Sequence, residues 1–233
     1  MMQTFPTLDA WADAAADRLA RALAEALTAD GCALFAGSGG STPSPIYARL
    51  AQADLDWARV TATLVDERYV PEASPDSNAA LLKRSLLIGP AAAARFIPLY
   101  SPAVTVDRAA ALASQALTAE GRALDAVLLG MGEDGHICSM FPGSPTLTTL
   151  LTPSLKPAVY GVPAGRDGAA PPQERLSLNL PWLAGARCVV LALTGAKKRA
   201  VFEREAAGDP AVSPIAALIA AKAPLEVFWT EAD

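Results

Sequence analysis

Short apolar runs that stop at a glycine or an acidic turn, each followed by a stretch with helical spacing, recur along this chain and restrict it to few folds. Cys32-Ala33-Leu34-Phe35-Ala36 stops at Gly37 and leads through more glycine and Thr42-Pro43 into a helical stretch over 46–53. The β-branched run 60–65 ends at Asp66-Glu67-Arg68 ahead of helical text over 78–87, and a short run over 95–99 precedes another helix over 107–120. The run Asp125-Ala126-Val127-Leu128-Leu129 has the continuous apolar character of a strand buried on both faces and stops at Gly130. Later strand candidates are 158–162, 188–193 with a helix over 196–206, and 225–229. Before them all, Trp11, Leu19, Leu23 and Leu27 lie at helical intervals over 9–29, ended by Asp30-Gly31.

Strands alternating with helices predict βαβ units. The expected fold class is therefore α/β: three layers, with a mainly parallel sheet of the Rossmann-like, doubly wound kind and helices on both faces. Such sheets bind ligands beyond the carboxyl ends of their strands. The glycine loop after 36, the Asp66 segment, the loop after Gly130 and Thr194-Gly195 all follow apolar runs, so all four are expected at that edge. No internal repeat or linker interrupts the pattern, which reads as one domain over 1–233. The stretch 161–174, rich in glycine, alanine and proline, reads as a surface loop.

Composition narrows the partners. A net charge of -5 with a pI near 5.0 supplies no broad basic field, so neither nucleic acid nor an anionic membrane surface is expected as a principal partner. An anionic small molecule fits, because a few local cations override the global sign. No apolar stretch approaches a membrane span of about twenty residues. Asp9, Asp13 and Asp17, with no basic residue before them, do not make a signal peptide. The three cysteines, Cys32, Cys138 and Cys188, are odd in number and widely spaced, which argues against a disulfide framework or a zinc site and for a reduced, cytoplasmic protein.

The chain holds a single histidine, His136, inside Gly130-Met131-Gly132-Glu133-Asp134-Gly135-His136-Ile137-Cys138-Ser139-Met140-Phe141-Pro142-Gly143. Imidazole titrates near neutral pH, so His136 is the candidate proton carrier, and Asp134 offers an acidic neighbour. Adjacent residues rarely orient one another, and Asp66 is the carboxylate expected to orient the ring. Gly37-Ser38-Gly39-Gly40-Ser41-Thr42-Pro43 joins a strand to a helix, and its amides and hydroxyls suit a phosphate as well as a plain capped turn. It is no dinucleotide fingerprint, since Thr42 stands at the third glycine position, and no Walker loop, since no lysine follows. Ala36-Gly37-Ser38-Gly39-Gly40 approaches a serine-hydrolase elbow, but it follows an early strand, and the histidine lies in mid-chain with much of the sheet still to come.

Asp66-Glu67-Arg68-Tyr69-Val70-Pro71 followed by Ser77-Asn78 reads equally as a solvated ion cluster with a helix cap or as part of a site. Cys138 reads as a small apolar residue rather than a nucleophile. In Gly195-Ala196-Lys197-Lys198-Arg199, cations at a helix start oppose its dipole and call for an anion, unless they are simply solvated.

In order and spacing these segments, together with Arg175-Leu176-Ser177-Leu178, resemble the 6-phosphogluconolactonase family, part of the larger group that contains glucosamine-6-phosphate isomerase/deaminase. The resemblance runs from about residue 37 to 200. It implies hydrolysis of 6-phospho-D-glucono-1,5-lactone with His136 activating water, without metal or cofactor. Asp66 would orient the histidine or the sugar hydroxyls. Gly39, Gly40, Ser41, Thr42, Arg68, Asp134, Gly135, Arg175 and Lys198 would bind the phosphosugar, Lys198 being the firmest phosphate contact. The deaminase relatives carry a glutamate five residues beyond the histidine, where this chain has Phe141, and Ser139-Met140-Phe141-Pro142-Gly143 follows the lactonase pattern. Ile137-Cys138 departs from the Thr-Ala common in lactonases without changing the charge. The alternatives are a sugar-phosphate isomerase/deaminase and a non-catalytic sugar-phosphate-binding module, in a monomer or a small homo-oligomer.

Overall fold

The computed structural model describes residues 2–103, 105–165 and 172–232. Its elements run β1 (Met2–Phe5), α1 (Leu8–Asp30), β2 (Ala33–Gly37), α2 (Ser44–Leu50), β3 (Val60–Leu64), β4 (Asp66–Arg68), α3 (Asn78–Ser85), β5 (Arg95–Phe96), α4 (Val106–Thr118), β6 (Ala126–Leu129), α5 (Leu147–Leu151), β7 (Val159–Val162), β8 (Arg175–Leu178), α6 (Leu180–Ala184), β9 (Val189–Thr194), α7 (Gly195–Ala206), α8 (Pro214–Ala220) and β10 (Leu225–Thr230).

A seven-stranded sheet with strand order β1-β10-β9-β6-β2-β3-β5 is parallel throughout. Its helices make it the expected three-layer α/β fold. The apolar runs dictate the middle of the sheet: every residue of β2, β3 and β6 is buried, because helices cover both faces. Neither outer strand, β1 or β5, contains a fully buried residue. From β2 the chain steps outward to β3 and β5, then returns to the opposite side of β2 for β6, β9 and β10. The strand order reverses between β2 and β6, and that crevice is where doubly wound sheets hold ligands.

Local chemistry sets the ends of the elements. Thr7 caps α1, its hydroxyl accepting from the amide of Ala10 at 3.1 Å, and Gly31 closes the helix at φ 77°. The indole of Trp11 donates to the carbonyl of Phe228 at 3.0 Å, fixing α1 on β10. The strand expected over 95–99 shortens to Arg95–Phe96, since Pro98 has no amide to continue the ladder.

Sequence periodicity did not anticipate β1, α5, α6 and α8, nor a second sheet, β4-β8-β7, which is antiparallel. The loop expected over 161–174 begins later, because Gly161 and Val162 still pair with β8, and residues 166–171 lie outside the described residues. The small sheet brings Asp66, Arg68 and Arg175 to the mouth of the crevice.

Candidate active site

A cleft of about 250 Å³ opens at the carboxyl ends of the parallel strands. Its walls are Ser38 to Pro43 after β2, Asp66 and Arg68 of β4, Asn78 at the start of α3, Gly130, Met131, Gly132, His136 and Cys138 after β6, Arg175 of β8 and Lys198 of α7. Three of the four strand-end segments expected at one edge line it; Thr194-Gly195 does not, and the helix it begins contributes Lys198 instead. Among the described residues, no three His, Cys, Asp or Glu side chains gather as a metal site.

Glycines let these backbones approach. A Cβ on Gly39 would overlap the amide of Asn78, so only glycine lets the loop lie against α3. Asn78 in turn donates to the carbonyl of Asp66 at 2.9 Å and accepts from Arg68 Nη1 at 2.7 Å. A Cβ on Gly132 would collide with the His136 ring and with Asp134. Gly135, at φ 89°, reverses the chain between those two residues, so both side chains fall on one side.

The carboxylate that meets the imidazole is Asp134, whose Oδ1 lies 2.5 Å from His136 Nδ1 and also accepts the His136 amide at 3.2 Å. This corrects the expectation that Asp66 orients the ring. Asp66 is already committed: Oδ2 accepts from the hydroxyl of Ser139 at 2.6 Å, and Oδ1 lies 3.3 Å from the Asn78 amide nitrogen. Asp134 and Gly135, expected to bind substrate, do not line the cleft; the turn at Gly135 places them behind the imidazole. Burial pushes the Asp134 carboxyl up, but the hydrogen bond and charge of His136 outweigh it and hold the group below its ordinary value. Since a carboxylate only accepts, Nδ1 carries the proton and Nε2 is left with the lone pair.

The cleft is cationic although the chain is not. Arg68 and Arg175 stand directly opposite one another across β4 and β8, and each has a buried Nε without a hydrogen-bond partner among the described residues. Like charges in that register repel unless an anion joins them. Burial pulls the Arg175 guanidinium down from its ordinary value, a shift opposed by Asp66, whose Oδ2 lies 3.8 Å from Nη1. Lys198 reaches Thr42 Oγ1 at 3.4 Å across the mouth, while Lys197 turns away to Glu133 at 2.5 Å. Arg68 does not pair with Asp66 or Glu67; its guanidinium donates to the carbonyl of Asp76 and to Asn78.

Two nucleophile readings weaken here. The hydroxyl of Ser38 has no hydrogen-bond partner among the described residues, so no base activates it. Burial, then the charge of Asp66, pushes the Cys138 thiol well above its ordinary value and keeps it neutral. Of the residues the sequence proposed, His136, Asp66, Gly39, Gly40, Ser41, Thr42, Arg68, Arg175 and Lys198 share the cleft. Sequence reasoning missed Gly132 and the buried Ser139. It used Phe141 only as the absence of a glutamate, whereas the ring packs against His136 with centroids 4.3 Å apart.

A family model described as glucosamine-6-phosphate isomerases/6-phosphogluconolactonase matches residues 6–229. The 6-phosphogluconolactonase of Rhizobium meliloti (strain 1021) is 43% identical to this chain, covering 98% of it and 97% of the relative. That of Caulobacter vibrioides is 39% identical over 99% of this chain and 97% of its own. The crystal structure of a 6-phosphogluconolactonase from Shewanella baltica OS155 superposes with a TM-score of 0.90 at 34% identity, covering 99% of this chain and 97% of that one.

Proposed function

The chain belongs to the glucosamine-6-phosphate isomerase/6-phosphogluconolactonase family, and from that membership we propose that it hydrolyses 6-phospho-D-glucono-1,5-lactone to 6-phospho-D-gluconate in the oxidative pentose phosphate pathway. The observation that carries the chemistry is the Asp134–His136 pair, which leaves Nε2 basic in a cleft bordered by Arg68, Arg175 and Lys198.

In this reading Nε2 of His136 takes a proton from water as the water oxygen bonds to C1 of the lactone. The tetrahedral intermediate then collapses, the bond from C1 to the ring oxygen breaks, and the imidazolium returns the proton to that oxygen. Asp134 holds the tautomer and stabilises the imidazolium. Asp66, fixed by Ser139 and Asn78, offers acceptors for sugar hydroxyls. The glycine loop and the cations hold the 6-phosphate. A lactone is an activated ester, so one base, contributing roughly 10²- to 10⁴-fold, together with positioning, supplies the acceleration. Cys32, Cys138 and Cys188 are unpaired, which supports the reducing cytoplasm as the compartment.

The test is lactone hydrolysis measured against spontaneous opening in the same buffer. Wild-type protein should exceed the background at nanomolar to micromolar concentration, and His136→Ala should lose about 10²- to 10⁴-fold in kcat. A His136→Ala variant with full activity would overturn the mechanism.

A further inference from the structure

Phe141 carries two chargeable neighbours on one ring. The imidazole of His136 lies against it, with centroids 4.3 Å apart and planes tilted by 38°. The guanidinium of Arg175 lies over the same ring, Cζ 5.7 Å from its centroid. Phe141 is only 8% exposed, so protein rather than water surrounds most of it. His136 and Phe141 belong to the loop after β6, whereas Arg175 belongs to the small antiparallel sheet. The ring thus spans the two parts of the molecule that form opposite walls of the cleft.

The loop is built to hold that ring still. Met140 donates its amide to the carbonyl of Ile137 and Ser144 donates to that of Phe141, each at 3.0 Å, so successive turns bracket the aromatic residue. Ser139, fully buried, donates its hydroxyl to Asp66 and its amide to Ser177 Oγ, the latter at 3.2 Å. An aromatic face attracts cations, and it cannot take a proton from either neighbour. It therefore holds a base and an anion receptor together without neutralising either one.

We propose that Phe141 is a positioning residue that sets the separation of His136 and Arg175, so that a substrate whose anionic group is held by Arg175 meets Nε2 with its carbonyl. This rests on the lactonase reading for its kinetic consequence, but not for its geometry.

The single histidine of the chain gives a direct readout, because the imidazole C–H signals in the proton NMR spectrum of the whole protein belong to His136 alone. In wild-type protein the Phe141 ring current shifts them from the position of a free imidazole, Phe141→Leu removes that shift, and Phe141→Tyr keeps it. Kinetically, Phe141→Leu lowers kcat/KM for the lactone about 10- to 100-fold, the scale of a misplaced reacting group, and Phe141→Tyr recovers most of the loss. In an Arg175→Lys background the same Leu substitution costs at least about threefold less, since residues that act as one unit are not additive. A merely structural role would give equal factors in both backgrounds. Unshifted imidazole signals in the wild type, or equal factors in the cycle, overturn the proposal. If Phe141→Leu fails to fold, Phe141→Met, which keeps volume without a ring face, is read in the same way. A wild type with shifted signals but no hydrolysis above background would overturn the lactonase reading and leave the geometric assignment standing.

Discussion

Asp134 sits below its ordinary value because His136 outweighs the burial that would raise it, and that contact fixes the ring. Asp134→Asn removes the carboxylate that accepts from Nδ1. The kcat/KM for the lactone should fall about 10- to 100-fold, less than in His136→Ala, because the base is kept and only its tautomer is freed. An unchanged kcat/KM would exclude Asp134 as the partner. Gly132 supplies a second test at this scale. Its missing Cβ is the space the His136 ring and Asp134 occupy, so Gly132→Ala should cost about 10²-fold in kcat with an unchanged melting temperature.

Between the parallel sheet and the cleft stand three-residue β4 and the start of α3, joined by Glu67. This side chain is fully buried and accepts from the amides of Arg68, Asn78 and Ala79, each at 2.7 Å, and from the Ser77 hydroxyl at 3.1 Å. Burial pushes the carboxyl up from its ordinary value, against the pull of those backbone amides. Glu67→Gln keeps the shape but turns one acceptor into a donor that faces other donors. Unfolding in urea should show a loss on the order of 2–3 kcal/mol, the cost of stranding a buried amide, and KM should rise because Asn78 and Arg68 shift with α3. The buried strands β2, β6 and β9 were legible as continuous apolar runs and β3 as a β-branched one, since helices on both faces demand them. The small sheet was not: β4 has three residues and β8 four, and their partners lie about a hundred positions away, beyond any local period. For the same reason Asp66 was assigned to the wrong neighbour. Its true contact, Ser139, depends on how the loop after β6 folds back over β8.

No element of the molecule contains the cleft; it exists only where the glycine loop after β2, the histidine loop after β6, the small sheet and α7 meet. The sequence could place the two loops, α7 and the Asp66 side of the small sheet, because each follows an apolar strand, and the Arg175 side of that sheet only through a motif. An anion bound there bridges segments that the unfolded chain separates, so it stabilises the native state alone. With 6-phosphogluconate at a hundred times its Kd the linkage is worth about 2.7 kcal/mol, which for a chain of this length raises Tm by about 5–10 °C. Removing a cation that binds the phosphate should reduce this effect, and removing the base should not. Thermal melts at one fixed 6-phosphogluconate concentration separate the two. His136→Ala should keep most of the wild-type shift while losing turnover, whereas Lys198→Ala, which takes away the cation that faces Thr42 across the mouth, should lose a large part of it. Because the attraction is ionic and partly exposed, the wild-type shift should also shrink as salt is added. Equal shifts in Lys198→Ala and the wild type would mean that α7 borders the cleft without binding the phosphate, and the anion would then belong to Arg68 and Arg175 alone.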